Sequence, residues 1–385
     1  MDFQLTDDQR ALRTGMRELL ERRFPRTRLR AVVDGDTARG DGGTARGDGD
    51  TGRGGGLDRA LWRELGAAGL FALRVPESAG GVGLGLPEVV LAFEEAGRAL
   101  LPGPLVATEL AAGLSGSLAA GASQGETVVT ALDESGAPVE HLASADVVLA
   151  LGPTAVEVIP AEEVARSAEP MRSVDPATPL HRTAPSRTRP DQADQADQAD
   201  QTDQTDQTDG TGPADRTGPA DQTDQADRTD QAGPGRSGLA ARLRREAALL
   251  TAAQQLGSAS RTVELAVDHA KHRTQFGRPI GAFQAVQHLC AQMLVRAESA
   301  RSVVYAAAVT EDPGDIAAAK LLADEAAVHN ARDCLQVHGG MGFTWEADVH
   351  LHLKRAWVRA GQWQSGAAAE EELAAGLVST VETCL

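Results

Sequence analysis

Arg273-Thr274-Gln275-Phe276-Gly277-Arg278-Pro279-Ile280 stands between two long helical patterns. Gln336-Val337-His338-Gly339-Gly340-Met341-Gly342-Phe343-Thr344-Trp345-Glu346 follows a third. The first stretch offers a guanidinium, an amide and an aromatic ring within four residues, at a helix-to-helix break. Arginine can grip phosphate bidentately, and phenylalanine can cover an apolar purine face. Taken alone, the stretch also fits an ordinary interhelical turn. In the second stretch, Gly339 and Gly340 end a helix and expose backbone amides beside Gln336. That geometry accepts phosphate or ribose oxygens. It is not a Rossmann fingerprint, because no strand precedes it and the glycine spacing differs.

Working outward, Ala247 to Lys271, Phe283 to Val309 and Ile316 to Val337 each read as one long helix, the last closed by the glycine pair. Helices of this length packed antiparallel make a bundle, assigned to 238–385. Near the start, Thr6-Asp7-Asp8-Gln9 reads as a capping box ahead of a face carrying Leu12, Met16, Leu19 and Leu20, with Pro25 closing the segment. Leu57 to Leu70, Glu88 to Leu100 and Leu105 to Ala120 continue the helical pattern, with a Gly-rich loop from Pro76 to Pro87. Residues 1–120 thus form an all-helical first domain. Thr127 to Leu132, Asp146 to Leu151 and Val156 to Ile159 are β-type runs, the last expected to bury Val156 and Val158. They make a small or incomplete β domain over 121–185.

Two stretches cannot build a core. Ser186 to Ser237 is 52 residues of near-triplet Asp, Gln, Thr and Ala with no Val, Ile, Leu, Phe, Trp or Tyr. It reads as an unfolded, solvated spacer, since nothing apolar offsets the entropy of ordering it. Asp34 to Gly56 repeats short Gly/Asp/Thr/Ala/Arg words and reads as a disordered loop. The formal charge is −18; twelve Asp and two Arg between Asp191 and Asp230 account for −10 of it. The remainder is still acidic and has no basic run, which argues against nucleic-acid binding. No stretch of 18 apolar residues exists, and the chain opens with polar MDFQLTDDQR. A membrane span or a secretion signal is not expected. Three scattered cysteines fit reduced thiols in a cytoplasm. Aromatics are only 3% of the chain, too few to supply the strands of a barrel or sandwich. The core must come from Leu, Val and Ala on closely packed helices.

RTQFGRPIGAFQAVQ, followed some sixty residues later by QVHGGMGFTWE, resembles the C-terminal helical domain of the acyl-CoA dehydrogenase family. LTDDQRALRTGMRELL and PESAGGVGLGLPEVVLAFEEAGRAL resemble its first helical domain. The resemblance covers roughly Met1 to Ala120 and Leu239 to Trp357. It implies a helical domain, a β domain and a four-helix bundle; bound FAD; and oxidation of acyl-CoA thioesters to 2-enoyl-CoA, with electrons passing to a further acceptor. In that family the ADP part of FAD is held across a subunit contact. The resemblance gives this role to Arg273, Gln275, Phe276, Gln284, Gln336, Gly339 and Gly340.

The sequence departs from the family in two places. The Thr-Glu-Pro and Gly-Ser-Asp signatures of the family's β domain are missing from Glu126 to Arg182. The chemistry also needs a carboxylate to take the α-proton. The two positions where the family carries that Glu hold Trp363 and Ala247. Glu246 is adjacent, but one helical residue turns a side chain by about 100°, and it otherwise reads as a solvated charge at a helix start. Glu370, Glu371 and Glu372 read as an exposed helix start. His269/His272 and His350/His352 have metal-like spacing without further ligands, so they read as surface and turn histidines, and no metal is expected. Two functions remain open. One is an FAD-dependent acyl-CoA dehydrogenase working as a homo- or hetero-oligomer. The other is a non-catalytic partner subunit that completes the FAD site of a second, dehydrogenase-like chain.

Overall fold

The first helix starts at the capping box. In α1 (Asp7–Arg23), Thr6 Oγ1 accepts from Gln9 N at 3.1 Å and the Gln9 side chain accepts from Thr6 N at 3.1 Å. Met16 and Leu20 face the core, as their spacing predicts. The computed structural model describes residues 5–37, 56–133, 136–153, 155–183 and 236–384. The spacer expected over 186–237, except its last two residues, and most of the loop expected over 34–56 lie outside them.

Helix α2 (Arg26–Thr37) follows Pro25 and carries the chain into the segment read as loop. Leu29 and Val33, one turn apart, are buried and anchor it. After α3 (Arg59–Ala67) and α4 (Leu86–Arg98), the single helix expected from Leu105 to Ala120 is two, α5 (Leu105–Ala112) and α6 (Ser117–Ser123). Gly116, at φ 88°, makes the break that a continuous helix would forbid.

The three expected strands are present as β1 (Val129–Asp133), β3 (Val147–Leu151) and β4 (Val156–Pro160). β1 runs parallel to β3, with Val129 opposite Val147, and β4 runs antiparallel to β3 at the sheet edge. That edge position corrects one expectation, because Val158 is 53% exposed rather than buried. A second sheet is built from β2 (Val139–Glu140), β5 (Glu169–Met171) and β6 (Leu180–Arg182), in the order β2-β6-β5. Its strands are too short to show a period in sequence. A short helix, α7 (Ala161–Ala165), follows β4.

The bundle comprises α8 (Arg236–His272), α9 (Gln284–Thr310), α10 (Pro313–His338), α11 (Val349–Ala360) and α12 (Gly366–Cys384). Helix α8 starts eleven residues before the expected Ala247. It crosses α4 backbone to backbone: a Cβ on Gly257 would lie 1.8 Å from Glu94 O, and one on Gly97 would lie 2.0 Å from Gln254 O. Ala248, Ala252 and Ala259 on α8 keep the remaining contacts close. One apolar cluster therefore runs from α1 through α4, α5 and α8 to α10 and α11. Each fully buried Leu in it, such as Leu65, Leu249 or Leu256, contributes about 1.5–3 kcal/mol.

Candidate functional site

The two motifs meet where α8 and α10 end. Beyond α8, β7 (Thr274–Gln275) pairs with β8 (Arg278–Pro279) through a two-residue turn. Phe276 and Gly277 both have positive φ, 53° and 78°, the requirement of a type I′ hairpin. A non-glycine residue in that region costs on the order of 1 kcal/mol. Here it holds the Phe276 ring 90% exposed. Phe283 steadies the hairpin, edge-on to Phe276 at 6.0 Å and under the Arg278 guanidinium at 4.3 Å. At the end of α10, Gly339 turns the chain at φ 61°, and its amide donates to Gln336 O. That amide is therefore engaged, unlike the sequence expectation. No heavy atom lies within 4 Å of a Cβ built on Gly339 or Gly340, so the backbone there is open to approach. Arg273, Gln275, Phe276, Gln284, Gln336, Gly339 and Gly340 are all exposed. The set offers a cation, amides, a flat ring and bare backbone, which suits the ADP part of a dinucleotide.

The base positions are occupied by other chemistry. Ala247 is fully buried in the main core. Trp363, at φ 67°, packs against the same core. With Ala107, Ala131, Glu140 and Gln362 it bounds a hollow of about 30 Å³. That is roughly the share of one water in the liquid, whereas ligand pockets need about 300 Å³ or more. Gln362 Nε2 donates to Glu140 Oε2 at 3.0 Å across this wall. The small sheet closes the approach further. Thr108 Oγ1 of α5 donates to Val129 O at 3.1 Å, and Arg244 Nε of α8 donates to Asp133 Oδ1 at 2.6 Å.

Glu246 corrects the expectation of a solvated charge. It is 5% exposed, accepts from Arg74 Nη1 at 2.7 Å, and lies 3.5 Å from Arg242 Nη1. A carboxylate gripped by two guanidiniums is poorly placed to abstract a proton. Sequence reading missed its neighbour Glu109, the one charged residue of α5. Burial pushes the Glu109 carboxyl up to about 8; Arg74 opposes the shift and Glu246 adds to it. Its Oε2 has no hydrogen-bond partner. Because the folded value lies above that of the unfolded chain, about 4.3, the ionisation penalty of Glu109 is absent below that pH and destabilises the fold increasingly as pH rises toward 8. Glu109→Gln should therefore raise stability at pH 8 by roughly 1–3 kcal/mol and flatten the decline between pH 5 and 8. Denaturant titrations at both pH values read this; a variant no more stable at pH 8 would mean Glu109 is already ionised and satisfied.

His350 and His352 are also not the turn histidines expected. They are 8% and 3% exposed, and His352 Nδ1 lies 2.8 Å from Ser258 Oγ. Burial pulls the His352 imidazole down to about 3, helped by Arg261, Arg355, Arg359 and Arg98, so it stays neutral. Among the described residues, no group of three or more His, Cys, Asp or Glu is placed to hold a metal ion. A hollow of about 340 Å³ between α1, α4, α8 and α11 shares no residue with the clamp or with Trp363. Arg17 on its wall is paired with Glu95, and Arg98 and Arg261 with Glu264. It is an ion-paired seam between the helices.

A helical N-terminal region, two small sheets and a helical bundle with two exposed motifs at its end define the architecture. The family models for the acyl-CoA dehydrogenase N-terminal domain and C-terminal domain match residues 48–128 and 239–368. The chain belongs to the acyl-CoA dehydrogenase family. Acyl-CoA dehydrogenase IpdE2 of Mycobacterium tuberculosis is 48% identical over 110 residues, 29% of this chain and 35% of that protein. The matched segment thus spans about a third of that relative's length. Over the whole fold, the ChsE4-ChsE5 complex from Mycobacterium tuberculosis superposes with a TM-score of 0.71 at 21% identity, covering 98% of this chain and 99% of that one. Butyryl-CoA dehydrogenase from Megasphaera elsdenii gives a TM-score of 0.71 at 18% identity, covering 98% and 100%. Among the described residues, no helix is long and apolar enough to cross a membrane.

Proposed function

We propose that this chain works in an FAD-dependent acyl-CoA dehydrogenase that desaturates an acyl-CoA thioester between its α- and β-carbons. Within that assembly it is the subunit that closes the ADP side of a flavin carried by a second, dehydrogenase-like chain. One observation carries the reading: the seven clamp residues lie where α8 and α10 end and α9 begins, and all stand exposed, while the positions for a base hold Trp363 and buried Ala247. Bound FAD would supply the hydride acceptor. This chain's residues would hold its pyrophosphate with Arg273, its adenine with Phe276, and its ribose and phosphate oxygens with Gln275, Gln284, Gln336 and the Gly339-Gly340 backbone.

Exposed apolar side chains on the bundle support a partner. Leu294 and Val295 on α9 are 50% and 64% exposed, and Met341 and Phe343 lie beside the clamp glycines. An exposed apolar set of this kind is characteristic of an interface. The named partner chains of the ChsE4-ChsE5 complex make a heteromer a natural arrangement. A homo-oligomer is the second reading, favoured by the same exposed side chains. The acyl-CoA substrate, the onward electron acceptor and a cytoplasmic setting follow from the family resemblance and the scattered thiols.

Arg273→Ala tests the clamp. Loss of a charge-assisted contact to pyrophosphate, worth about 1.5–3 kcal/mol, should weaken FAD retention roughly 10- to 100-fold in the assembly that holds flavin. Flavin absorbance after gel filtration reads it. Equal occupancy in variant and wild type would remove Arg273 from the site.

A further inference from the structure

We propose that the stacked imidazoles of His269 and His338 are positioning residues that hold the two halves of the clamp in register, the Arg273 hairpin on one side and the Gln336–Gly340 turn on the other. The proposal rests on the nucleotide-clamp reading and names what keeps that clamp assembled.

The rings lie 4.1 Å apart, inclined by 23°. His269 sits in the last turn of α8, and its carbonyl accepts from Arg273 N at 2.8 Å. Arg273 O in turn accepts from Ile280 N at 2.8 Å, which closes the hairpin on the helix end. His338 is the last residue of α10. Its Nδ1 lies 2.8 Å from Cys334 O. A carbonyl can only accept, so Nδ1 carries the proton and the ring is fixed in one tautomer and one orientation. The chain after Gly340 folds back against the base of this side chain and the last turn of α10: a Cβ on Gly342 would lie 3.0 Å from His338 Cβ and 3.1 Å from Leu335 O. Each imidazole is therefore tied to one half of the clamp.

Among the described residues, no hydrogen bond runs directly between 273–280 and 336–346. The ring stack joins the helix ends that carry them, beside the apolar cluster in which Ile280 packs with Leu335 and Val337. Burial, with His338 and Arg273 nearby, pushes the His269 imidazole below its ordinary range, so the rings meet without like-charge repulsion at neutral pH. Aromatic contacts of this kind change an equilibrium by about three- to tenfold.

The test uses the full chain in its flavin-loaded assembly. FAD dissociation is followed by flavin fluorescence, and amide hydrogen exchange is followed in 274–283 and 339–344. His269→Ala should weaken FAD by about three- to tenfold and raise exchange in both segments together. His269→Phe, which keeps a stacking ring, should restore both. The double variant His269→Ala/His338→Ala should be no worse than either single one, because a single contact is lost. If Ala and Phe at 269 behave alike, or only one segment loosens, or the two losses add, the stack does not couple the halves. If the wild-type assembly takes up no FAD while exchange still follows the Ala and Phe pattern, the coupling stands and the flavin reading fails.

Discussion

Purified alone and given an acyl-CoA with an artificial electron acceptor, the chain should show negligible oxidation, and turnover should appear only when a Glu-bearing partner is added. Removing a thioester α-proton without a positioned base should cost roughly 10²–10⁴-fold or more. Neither base position holds a carboxylate, and the hollow beside Trp363 has room for about one water. Glu246, the nearest alternative, is committed to Arg74 and Arg242. Glu246→Gln should therefore leave the partnered rate unchanged while lowering stability, because Arg74 loses its carboxylate in a largely buried site. Steady-state kinetics with and without the partner decide the matter. Robust turnover by the lone chain, abolished by Glu246→Gln, would make Glu246 the base. Turnover that survives the substitution would place the chemistry somewhere other than α8 and the segment after α11.

What the sequence disclosed follows from how local each signal is. The capping box at Thr6, the long helices α9 and α10 and the β-type runs at 127–132 and 146–151 are set by neighbours a few residues apart, and the structure has them with bounds shifted by one or two residues in the strands. The hairpin at Phe276-Gly277 was legible as a break, but its I′ geometry depends on φ values that a motif does not print. The burial of Glu246, by contrast, depends on Arg74, 172 residues away. A charged residue next to Arg245 looks solvated until the fold brings the Arg74 guanidinium, from the segment after α3, against it. Val158 failed for a related reason: alternation shows that a strand has two faces, not that it lies at a sheet edge. His350 and His352 read as turn residues because their cover comes from α8 and from the 345–348 segment, which the local pattern cannot show. The residues proposed for the clamp can be named from sequence because they lie in two contiguous motifs. The wall at Trp363 was named only as a missing base, because its neighbours Ala107, Ala131 and Glu140 come from separate elements.

That wall depends on a buried ion pair, and breaking it should cost about 3–5 kcal/mol. Asp175, between β5 and β6, and Arg355 of α11 are 1% and 4% exposed, and Arg355 Nε donates to Asp175 Oδ2. Thr178 Oγ1 also donates to Oδ2, at 2.7 Å, and Ala177 N to Oδ1, at 3.2 Å. Arg355 Nη1 reaches Leu101 O at 3.1 Å, so one guanidinium ties the second sheet to the connection between α4 and α5. Burial works against the Asp175 charge, but Arg355, the Thr178 hydroxyl and the Ala177 amide outweigh it and hold the carboxyl below its usual range. The sign follows: the pair's stabilisation is present above the unfolded value near 3.9 and is lost as pH falls through the lowered folded value. Asp175→Ala should shift the urea midpoint at pH 7 by the full amount, with the gap to wild type narrowing below about pH 4. Asp175→Ala/Arg355→Met should recover most of the loss, since no uncompensated charge stays buried. If the double variant were as unstable as the single one, the loss would lie in the anchoring of the sheet through Thr178, Ala177 and Leu101, not in the stranded charge. β6 pairs with β2, and Glu140 of β2 accepts from Gln362, so a slackened pair should also loosen the wall at Trp363. Tryptophan fluorescence of the single variant, below its unfolding transition, would report that opening as a red shift absent from wild type.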